Sequence, residues 1–442
     1  MPSYPSTVLQ RPDPMKIGFY TLGCKVNQYE TQALEQLFVR RGHTLVDFED
    51  EADLYVINTC TVTAVSDKKS RQIIRRARKT APDAVIAVCG CYPQTHPEDM
   101  DTLGIDLVAG TGDRLGFVEL AEQTFRERKP INALDDAMKR LDFEVLPAGG
   151  LEGRTRAMLK VEDGCVNFCT YCIIPYARGR IRSLPLTEAV QQTADLQAQG
   201  YREIVLTGIE ISSWGQDLRS GTSLIDLLEA VCAAAPDCRI RLGSLEPRTI
   251  TEEFCTRAAK LSNLCPHFHL SMQSGCDSVL KRMNRKYDTA RYLESVHLLR
   301  RYFDRPAITT DLIVGFPGET QEEFDQTLEF IRKCAFSSMH VFPYSKRPGT
   351  PAASMPGQVL NSVKEERAHQ AAQVAAQIEQ EYLAQFAGQP LPVLFEEERD
   401  GLWWGHTPNY IPVAVKSENL HNQVRDVLLE QVRDGMIFGK LI

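Results

Sequence analysis

Apolar runs and helical patterns alternate over the first part of the chain. The runs at 16–22, 53–58, 84–88 and 106–109 predict strands, and the patterns at 27–41, 64–79 and 115–126 predict helices. Such alternation is typical of a βα domain with a mainly parallel sheet, which we predict over residues 15–130. Prolines and a Gly149-Gly150 pair within residues 129–154 predict a linker after it.

A second βα series begins at Arg156. Its six candidate strands are 157–161, 203–207, 239–242, 267–271, 308–314 and 338–343. A six-fold parallel series of this length predicts a partial (β/α)6 barrel, an open relative of the eight-stranded TIM barrel, within residues 151–385. Residues 363–386 are rich in Ala, Gln and Glu and predict a helix that packs along the outside of this barrel.

Short β runs follow from about residue 389, at 393–395, 410–415, 423–430 and 436–442. Turns are expected at Asp400-Gly401 and Asp434-Gly435. The runs and turns together predict a small antiparallel β-barrel over residues 386–442. The predicted fold class of the whole chain is therefore α/β, with three domains.

The composition is that of an ordinary soluble globular protein, with 442 residues, 43% hydrophobic and 24% charged. Lys and Arg number 50 against 58 Asp and Glu, and the net charge of −8 argues against a generally basic nucleic-acid binder. No apolar stretch approaches the ~18 residues of a membrane helix, and residues 1–14 lack the apolar run of a signal peptide. We therefore expect a cytoplasmic protein without membrane contact, in which cysteines more often bind metal than form disulfides.

Three of the 13 cysteines stand together directly after the first predicted barrel strand. Cys165, Cys169 and Cys172 have C-x3-C-x2-C spacing, so three thiolates can wrap one corner of a metal site. Structural zinc sites close with four ligands, commonly from paired C-x2-C units, and no partner pair follows here. An iron–sulfur cube on three cysteines leaves one iron open for another ligand. The motif therefore predicts an iron–sulfur site.

Segments rich in Gly, Pro or polar residues end the other five predicted barrel strands. They begin at Thr207, Gly243, Gln273, Gly315 and Tyr344. Active sites of βα barrels gather at the carboxyl ends of the strands. The cysteine loop and these segments are therefore expected to surround one site.

Further cysteines follow the strands of the first domain. Cys24, Cys60 and the pair Cys89 and Cys91 come after separate predicted strands, whose carboxyl ends line one crevice in a parallel sheet. Three thiolates with a fourth position open describe a second iron–sulfur cluster, and scattered buried thiols are the alternative. The six remaining cysteines are expected to pack in the core: Cys232, Cys238, Cys255, Cys265, Cys276 and Cys334.

Four motifs, in this order and followed by a β module, resemble the radical S-adenosylmethionine methylthiotransferases. They are Gly23-Cys24-Lys25-Val26-Asn27-Gln28-Tyr29-Glu30, Asn58-Thr59-Cys60-Thr61-Val62-Thr63, Gly90-Cys91-Tyr92-Pro93-Gln94 and the C-x3-C-x2-C loop. The resemblance implies an N-terminal cluster domain, a radical barrel and a C-terminal TRAM domain. It covers nearly the whole chain from about residue 16.

The resemblance also implies two [4Fe–4S] clusters, one on each cysteine triplet. The ligands are Cys24, Cys60 and Cys91 in the first domain and Cys165, Cys169 and Cys172 in the barrel. Cys91 fits the third N-terminal ligand better than Cys89, because it stands in the Gly-Cys-x-x-Gln segment. No catalytic residue beyond the cluster ligands is assigned.

S-adenosylmethionine is the implied cofactor, bound at the open iron of the barrel cluster and cleaved to a 5′-deoxyadenosyl radical. Gly208 and Glu210 stand where the family's motif for the cofactor's amino group lies. Ser244 and Gln273 are candidates for its ribose and carboxylate, and Tyr171 would place its backbone near the adenine.

Within the family, the 23–30 segment resembles the branch that acts on N6-threonylcarbamoyladenosine in tRNA. The implied reaction adds a methylthio group at C2 of that adenosine next to the anticodon, with tRNA, a one-electron reductant and a sulfur donor as partners. Glu210 and Ser213-Trp214-Gly215 stand where His and Gly-Ser-Tyr-Gly are commoner, and Pro93 replaces a usual Ala. The alternatives are thiomethylation of isopentenyladenosine in tRNA or of a ribosomal-protein side chain, and a non-catalytic iron–sulfur sensor that binds RNA.

Positive charge for a tRNA partner is concentrated in one predicted helix. Seven basic residues and no acidic one lie between positions 68 and 79: Lys68, Lys69, Arg71, Arg75, Arg76, Arg78 and Lys79. We predict RNA contact by this helix, against the alternative of an ordinary exposed face. Smaller basic sets lie at 281–286 and at Lys346-Arg347. Trp403, Trp404 and Tyr410 are candidates for base stacking in the less basic terminal barrel.

Overall fold

The structure is a computed structural model that describes residues 13–150 and 153–442. It forms two compact units, divided after Ala137. The predicted absence of a signal peptide rests on residues 1–14, and the first twelve of these lie outside the described ranges. Residue 151, where the predicted barrel domain begins, lies outside them as well. Within the described ranges, no helix combines the length and the apolar character that a membrane span requires.

The described part of the first unit is a six-stranded parallel sheet with helices on both faces. Its strands are β1 (Lys16–Thr21), β2 (Thr44–Val46), β3 (Leu54–Thr59), β4 (Val85–Gly90), β5 (Leu107–Ala109) and β6 (Ile131–Ala133). Its helices are α1 (Lys25–Arg40), α2 (Ala64–Thr80), α3 (Cys91–Thr95), α4 (Pro97–Met100) and α5 (Arg114–Glu127). The strand order is β2-β1-β3-β4-β5-β6, so the order reverses between β1 and β3.

Both faces of this sheet are covered by helices, which explains its apolar central strands. Every residue of β3 and β4 is buried. Helices α1 and α5 pack on one face through Leu34, Phe38 and Phe117. Helix α2 packs on the other face through Ile73 and Ile74. A parallel sheet buried on both faces requires continuous apolar strands, and the predicted parallel βα domain is confirmed.

Two short strands of the first unit lie outside the predicted set. Strand β2 pairs with β1, and β6 pairs with β5 inside the predicted linker at 129–154. Each has only three residues, none of which is buried, whereas the equally short β5 is fully buried and matches the predicted apolar run at 106–109. The linker prediction is therefore wrong over Ile131–Ala133.

The second unit begins with strands and helices in alternation; these strands pair in parallel, except that Glu162–Asp163 and Arg182–Ser183 pair antiparallel. The strands are β7 (Arg156–Lys160), β8 (Glu162–Asp163), β9 (Arg182–Ser183), β10 (Glu203–Thr207), β11 (Arg239–Leu242), β12 (Ser244–Leu245), β13 (His267–Leu270), β14 (Ala307–Val314) and β15 (Ser338–Pro343). The helices are α6 (Ile174–Arg178), α7 (Leu186–Ala198), α8 (Leu224–Ala234), α9 (Glu252–Ala258), α10 (Asp277–Arg282), α11 (Thr289–Tyr302), α12 (Gln321–Cys334), α13 (Pro351–Ser354) and α14 (Asn361–Ala384). Helix α14 packs along β15, as predicted for the helix outside the barrel.

The wall of the partial barrel continues through a bend at Gly243. Strands β7, β10 and β11 form one sheet, and β12, β13, β14 and β15 form another. Gly243 separates β11 from β12, and its amide donates to Leu206 O at 2.8 Å. A Cβ at Gly243 would lie 2.9 Å from Leu206 O, so this close approach requires glycine. The predicted partial barrel is confirmed, with its third strand bent so that each half pairs with a different neighbour.

A closed barrel forms the end of the chain. Its strands are β16 (Pro390–Arg399), β17 (Leu402–His406), β18 (Pro412–Val415), β19 (Val424–Arg433) and β20 (Met436–Leu441). Their order is β16-β17-β18-β20-β19. The predicted small barrel is confirmed, but its pairing is not purely antiparallel, since β18 and β20 are parallel. The hairpin at Asp434-Gly435 sends β20 back in the direction of β18, so these two edges close the barrel side by side.

The small barrel covers the amino-terminal ends of the partial barrel's strands. Arg156, the first residue of β7, forms an ion pair with Glu396 of β16. Arg239, the first residue of β11, donates from Nη1 to His406 O at 2.9 Å. Glu396 stands at a β-bulge between Phe395 and Glu397, and bulges re-aim side chains in this way. The carboxyl ends of the barrel strands are therefore the ends that remain for a site.

Candidate active site

The cysteine triplet of the first unit follows three neighbouring strands. Cys24 precedes α1 as its cap residue, Cys60 directly follows β3, and Cys91 begins α3 after β4. Strands β1, β3 and β4 are adjacent, and the strand order reverses between β1 and β3. Ligands of open α/β sheets bind outside the strand carboxyl ends at such a reversal. The sheet therefore brings the three cysteine loops to one edge, where a ligand is expected.

Two glycines set the close contact between these loops. A Cβ at Gly23 would lie 3.1 Å from Cys60 Sγ, so the loop that carries Cys24 packs directly on Cys60. Gly90 has φ 103°, and a Cβ there would lie 2.5 Å from Thr59 O. Burial raises the pKa of the Cys60 thiol, and the nearby Cys24 thiol acts in the same direction.

Two buried asparagines, for which the sequence predicts no role, hold the loops in place. Asn27 donates from Nδ2 to Leu22 O at 2.8 Å and to Thr59 O at 2.9 Å. Asn58 donates from Nδ2 to Asn27 O at 3.0 Å. The Cys24 thiol donates to Asn27 Oδ1 at 3.7 Å. Each asparagine thus joins two cysteine loops, and both belong to motifs visible in the sequence.

The surroundings of Cys89 and Cys91 differ. Cys89 lies inside β4, is fully buried, and packs in the core with Leu54 and Val56. Cys91 lies one residue beyond the strand and 3% of it is exposed. A ligand must face the strand ends and not the apolar core. This placement favours Cys91 over Cys89 as the third N-terminal ligand.

The second triplet lies in the loop between β8 and α6. Cys172 N donates to Cys169 O at 2.9 Å. Gly164 has φ 92°, and a Cβ there would lie 1.9 Å from Arg180 O, so only glycine fits immediately before Cys165. The three side chains are free thiols, and burial raises the pKa of Cys165 and of Cys172.

The segment after α10 contacts this loop through two side chains. Asn284 donates from Nδ2 to Phe168 O at 2.9 Å. Arg285 donates from Nη1 to Cys169 Sγ at 3.3 Å. Arg285 belongs to the basic set at 281–286. The sequence alone does not distinguish a cation that contacts a thiol from one that binds RNA.

Two carboxyl groups meet beside the cysteine loop. Glu210 N donates to Glu162 Oε2 at 2.7 Å, while Glu162 Oε1 is buried with no hydrogen-bond partner in the described residues. A Cβ at Gly208 would lie 2.8 Å from Glu162 Oε2, so Gly208 lets this loop close on the carboxyl group. Burial raises the pKa of Glu162 well above its usual value. Burial raises the pKa of Glu210 to about 7; the charge of Arg285 opposes this rise and the charge of Glu246 supports it.

The predicted cofactor residues all lie at the carboxyl ends of the barrel strands. Gly208 and Glu210 follow β10, and the exposed Ser244 follows the carboxyl end of β11, directly after the bend at Gly243. Gln273 follows β13 with a φ of 65°. Tyr171 is half-buried inside the cysteine loop. Four separate strands therefore supply these residues to one end of the partial barrel.

The predicted RNA-binding cations of α2 divide into internally paired and exposed groups. Arg71 donates to Tyr92 Oη at 2.9 Å, and Arg76 forms an ion pair with Glu49. Arg78 donates from Nε to Gly104 O at 2.9 Å. The exposed cations, which form no ion pair or hydrogen bond with the described residues, are Lys68, Lys69, Arg75 and Lys79.

The remaining RNA candidates differ in their access to solvent. Lys346 is exposed, whereas Arg347 is only 1% exposed and does not meet a phosphate at the protein surface. Tyr410 is stacked between His267 and His406, with ring centroids 4.9 and 4.6 Å away. The Tyr410 ring therefore already stacks on imidazoles of the second unit, which argues against a role in base stacking.

The donor sets fit iron–sulfur clusters. Among the described residues, no three Cys, His, Asp or Glu side chains are already arranged as ligands of one ion. Each triplet nevertheless supplies three thiols from loops held together by glycines and hydrogen bonds. Thiolates are the ligands that hold such clusters, and three of them leave one iron open.

Comparison with known proteins identifies the family. Residues 159–331 match the radical SAM superfamily, and residues 16–110 match a family described as uncharacterized protein family UPF0004. The chain is 45% identical over 406 residues to the threonylcarbamoyladenosine tRNA methylthiotransferase MtaB of Bacillus subtilis strain 168, with 90% of each chain covered. The chain belongs to the radical SAM methylthiotransferase family. This confirms the resemblance that the four cysteine motifs indicated.

Other members and folds agree with this family. The tRNA-2-methylthio-N(6)-dimethylallyladenosine synthase of Pelotomaculum thermopropionicum is 33% identical over 392 residues, with 87% of each chain covered. The radical S-adenosylmethionine methyltransferase TsrM of Kitasatospora setae is 16% identical, with a TM-score of 0.59 over 76% of this chain and 75% of that one. At that identity the likeness concerns the fold alone, and it agrees with the α/β architecture.

Proposed function

We propose that this member of the family adds a methylthio group to C2 of N6-threonylcarbamoyladenosine in tRNA, next to the anticodon. The observation that carries the proposal is the 45% identity to a relative named for that nucleoside, against 33% to one named for dimethylallyladenosine. The two cysteine triplets support a reaction with two clusters, because each lies at strand carboxyl ends, where α/β folds bind ligands.

Cys165, Cys169 and Cys172 would hold one [4Fe–4S] cluster, whose chemistry when bound is one-electron cleavage of S-adenosylmethionine to a 5′-deoxyadenosyl radical. Gly164 shapes the loop for these ligands, because no larger residue fits beside Arg180 O. A one-electron reductant is the required partner of this half of the reaction.

The residues around that loop suit the methionine part of the cofactor. Glu210, with a pKa of about 7, is partly ionised at neutral pH and attracts a cationic amino group. Gly208 lets its loop approach the Glu162 carboxyl group closely, which also accepts a hydrogen bond from Glu210 N. Ser244 and Gln273 offer polar groups for the ribose and carboxylate, and the backbone of Tyr171 would lie near the adenine.

Cys24, Cys60 and Cys91 would hold the second [4Fe–4S] cluster, which when bound offers an open iron for the sulfur to be transferred. Asn27 and Asn58 keep these ligands together through their hydrogen bonds to neighbouring loops. A second S-adenosylmethionine would provide the methyl group, and a sulfur donor would restore the sulfur after each turnover.

Exposed cations of α2 would contact the tRNA backbone. Lys68, Lys69, Arg75 and Lys79 are exposed and carry no counter-charge from the described residues. Phosphate contacts of this kind dominate nucleic-acid affinity, and they explain how a chain of net charge −8 can bind tRNA.

Nucleoside mass spectrometry of tRNA from a strain that lacks the gene tests the substrate. We expect the methylthio form of N6-threonylcarbamoyladenosine to disappear and its unmodified precursor to accumulate, with both restored by the wild-type gene. Loss of the methylthio form of isopentenyladenosine instead would overturn this substrate and support the alternative. Unchanged tRNA would overturn a tRNA substrate altogether.

Alanine substitution of each triplet tests the two cluster sites. The triple variant of Cys165, Cys169 and Cys172 should lose cleavage of S-adenosylmethionine. The triple variant of Cys24, Cys60 and Cys91 should retain cleavage but form no methylthio product. The matched control removes three core thiols, Cys232, Cys238 and Cys255, and should bind the iron of two clusters. If iron-loaded wild-type protein cleaves no cofactor, the non-catalytic sensor is favoured instead.

A further inference from the structure

Arg285 directs its positive charge at a cysteine of the barrel loop. It lies between α10 and α11, and its Nη1 donates to Cys169 Sγ at 3.3 Å. No carboxylate of the described residues forms an ion pair with it. The neighbouring Arg282, in contrast, pairs with Glu323 at 2.6 Å. The guanidinium charge of Arg285 is therefore not neutralised by an acid at ion-pair distance.

Three further contacts fix the guanidinium in this position. Its Nη2 donates to Ser271 O at 3.2 Å, and its Nε donates to Tyr287 Oη at 3.0 Å. The ring of Tyr287 lies 4.8 Å from the guanidinium carbon. Tyr287 in turn donates to Met272 O at 2.8 Å. The donor that faces Cys169 is thus held by groups from the end of β13 and from its own loop.

We propose that Arg285 raises the reduction potential of the cluster held by Cys165, Cys169 and Cys172, through its charge and its N–H···S hydrogen bond to Cys169. The inference rests on the proposed role of these cysteines. Arg285 acts through Cys169 and is a positioning residue, not a catalytic one.

The physical reason is the charge added on reduction. A cluster with three thiolate ligands gains one more negative charge when it accepts an electron. A fixed cation and a hydrogen bond to a ligand sulfur stabilise the reduced form more than the oxidised form. Arginine keeps its charge at every accessible pH, so this stabilisation does not depend on protonation.

The test is a potentiometric titration followed by electron paramagnetic resonance, in the full chain with Cys24, Cys60 and Cys91 changed to Ala. Only the barrel cluster is then present. In the Arg285→Gln variant, the ratio of reduced to oxidised cluster at a fixed potential should fall about tenfold, which corresponds to a midpoint lower by about 59 mV. Arg285→Lys keeps the charge but loses the fixed geometry of the guanidinium donors. Its midpoint potential should lie between that of Arg285→Gln and that of the reference chain.

Lys286→Gln is the matched control. It removes one positive charge from the adjacent residue, which is exposed and donates to Asn284 Oδ1 at 2.7 Å. Its midpoint should equal that of the reference chain, because solvent screens an exposed charge.

An Arg285→Gln variant that retains the cluster with an unchanged midpoint overturns the inference, since a purely structural clamp leaves the potential unmoved. If Arg285→Gln fails to hold the cluster, Arg285→Lys decides, and a midpoint equal to the reference overturns the inference as well. A reference chain that binds no iron would instead overturn the proposed role of the barrel cysteines. Iron analysis before the titration separates these outcomes.

Discussion

Gly164 illustrates how one residue without a side chain positions three that carry the chemistry. Its φ of 92° is strained for any other residue, and a Cβ would lie 1.9 Å from Arg180 O. The nearest atoms, Arg180 O, Arg180 C and Gly179 O, belong to the backbone, so no side chain can move aside to relieve the clash. Accommodation would have to shift the loop that begins at Cys165.

Gly164→Ala is therefore expected to lower the unfolding free energy by about 3 kcal/mol and to reduce the iron bound at the barrel triplet. The measurements are denaturant unfolding and iron analysis after anaerobic reconstitution. Gly200→Ala is the control, because Gly200 has φ 89° but no atom within 4 Å of the added Cβ. Equal effects of the two substitutions would show that backbone strain, and not the clash, determines the outcome.

The sequence identifies candidate ligands, but not the residues that support them. The cysteines stand at strand ends in motifs, so their convergence follows from the parallel sheet alone. Glu162 and Arg285 could not be found in this way, because their roles depend on contacts distant along the chain. Arg285 reaches Cys169 across 116 positions, and nothing local separates it from the other cations of its basic set.

The basic residues of helix α2 fall into two groups, one that contacts the first unit and one that is exposed to solvent. Arg71, Arg76 and Arg78 contact groups of the first unit itself. Lys68, Arg75 and Lys79 recur at intervals of seven and four residues, which places them on one side of the helix. That exposed side is the RNA surface we propose.

Reversing two of these charges, Lys68→Glu with Arg75→Glu, should raise the dissociation constant for tRNA at least about tenfold near 0.1 M salt. The slope of log affinity against log salt should also fall by about 2. Filter binding across a salt series measures both. Arg332→Glu with Lys333→Glu, on the exposed side of α12, makes the same change in net charge elsewhere. Similar losses in both double variants would contradict a localised contact.

Element prediction failed where strands are short or lack a clear pattern. Strands β2 and β6 have three residues each, and β17 carries Trp403, Trp404 and Gly405 in succession, which gives no alternation. The longer strands were predicted because burial on both faces makes them continuous apolar runs. A hydrophobic pattern therefore indicates buried strands, and β2 and β6 lack it because none of their residues is buried, unlike the equally short β5.

At the scale of the molecule, the packing of the small barrel against the partial barrel depends on Glu396, which stands at a β-bulge. Burial alone would raise the pKa of Glu396, but the hydrogen bond with His406 at 2.6 Å and the charge of Arg156 outweigh it and lower the pKa from 4.5 to about 2. The folded state therefore binds this proton less tightly than the unfolded chain does. The resulting stability is complete above about pH 4.5 and is lost as the pH falls toward 2.

Glu396→Gln is expected to lower the free energy of unfolding by about 2 kcal/mol near neutral pH. The difference from wild type should shrink to about half by pH 3, since the wild-type protein loses its advantage there. Urea unfolding at several pH values measures this difference. Glu397→Gln breaks only an exposed ion pair with Arg399 and should cost less than about 1 kcal/mol. A difference for Glu396→Gln that grows on acidification would contradict the assigned role.

The sequence indicated the three architectures in their order along the chain, but not how the second unit is assembled. The bend at Gly243 and the packing of the small barrel both depend on contacts between residues that are distant along the chain. Tyr410 is an example, since its aromatic ring suggested base stacking and instead packs between two imidazoles. An aromatic residue favours any flat neighbour, and only the fold decides which neighbour it meets.

The ion pair between Arg156 and Glu396 can form only late in the synthesis of the chain. These residues are 240 positions apart, and every strand of the partial barrel leaves the ribosome before the small barrel does. Until then, Arg156 and Arg239 at the strand starts lack their later partners, and the amino-terminal end of the nascent barrel is open to solvent. Contacts so distant in sequence form late, because the chain between them must be ordered first. The strands of the small barrel are translated after the whole partial barrel, and they therefore cover the amino-terminal end of a barrel whose cysteine loop is made early.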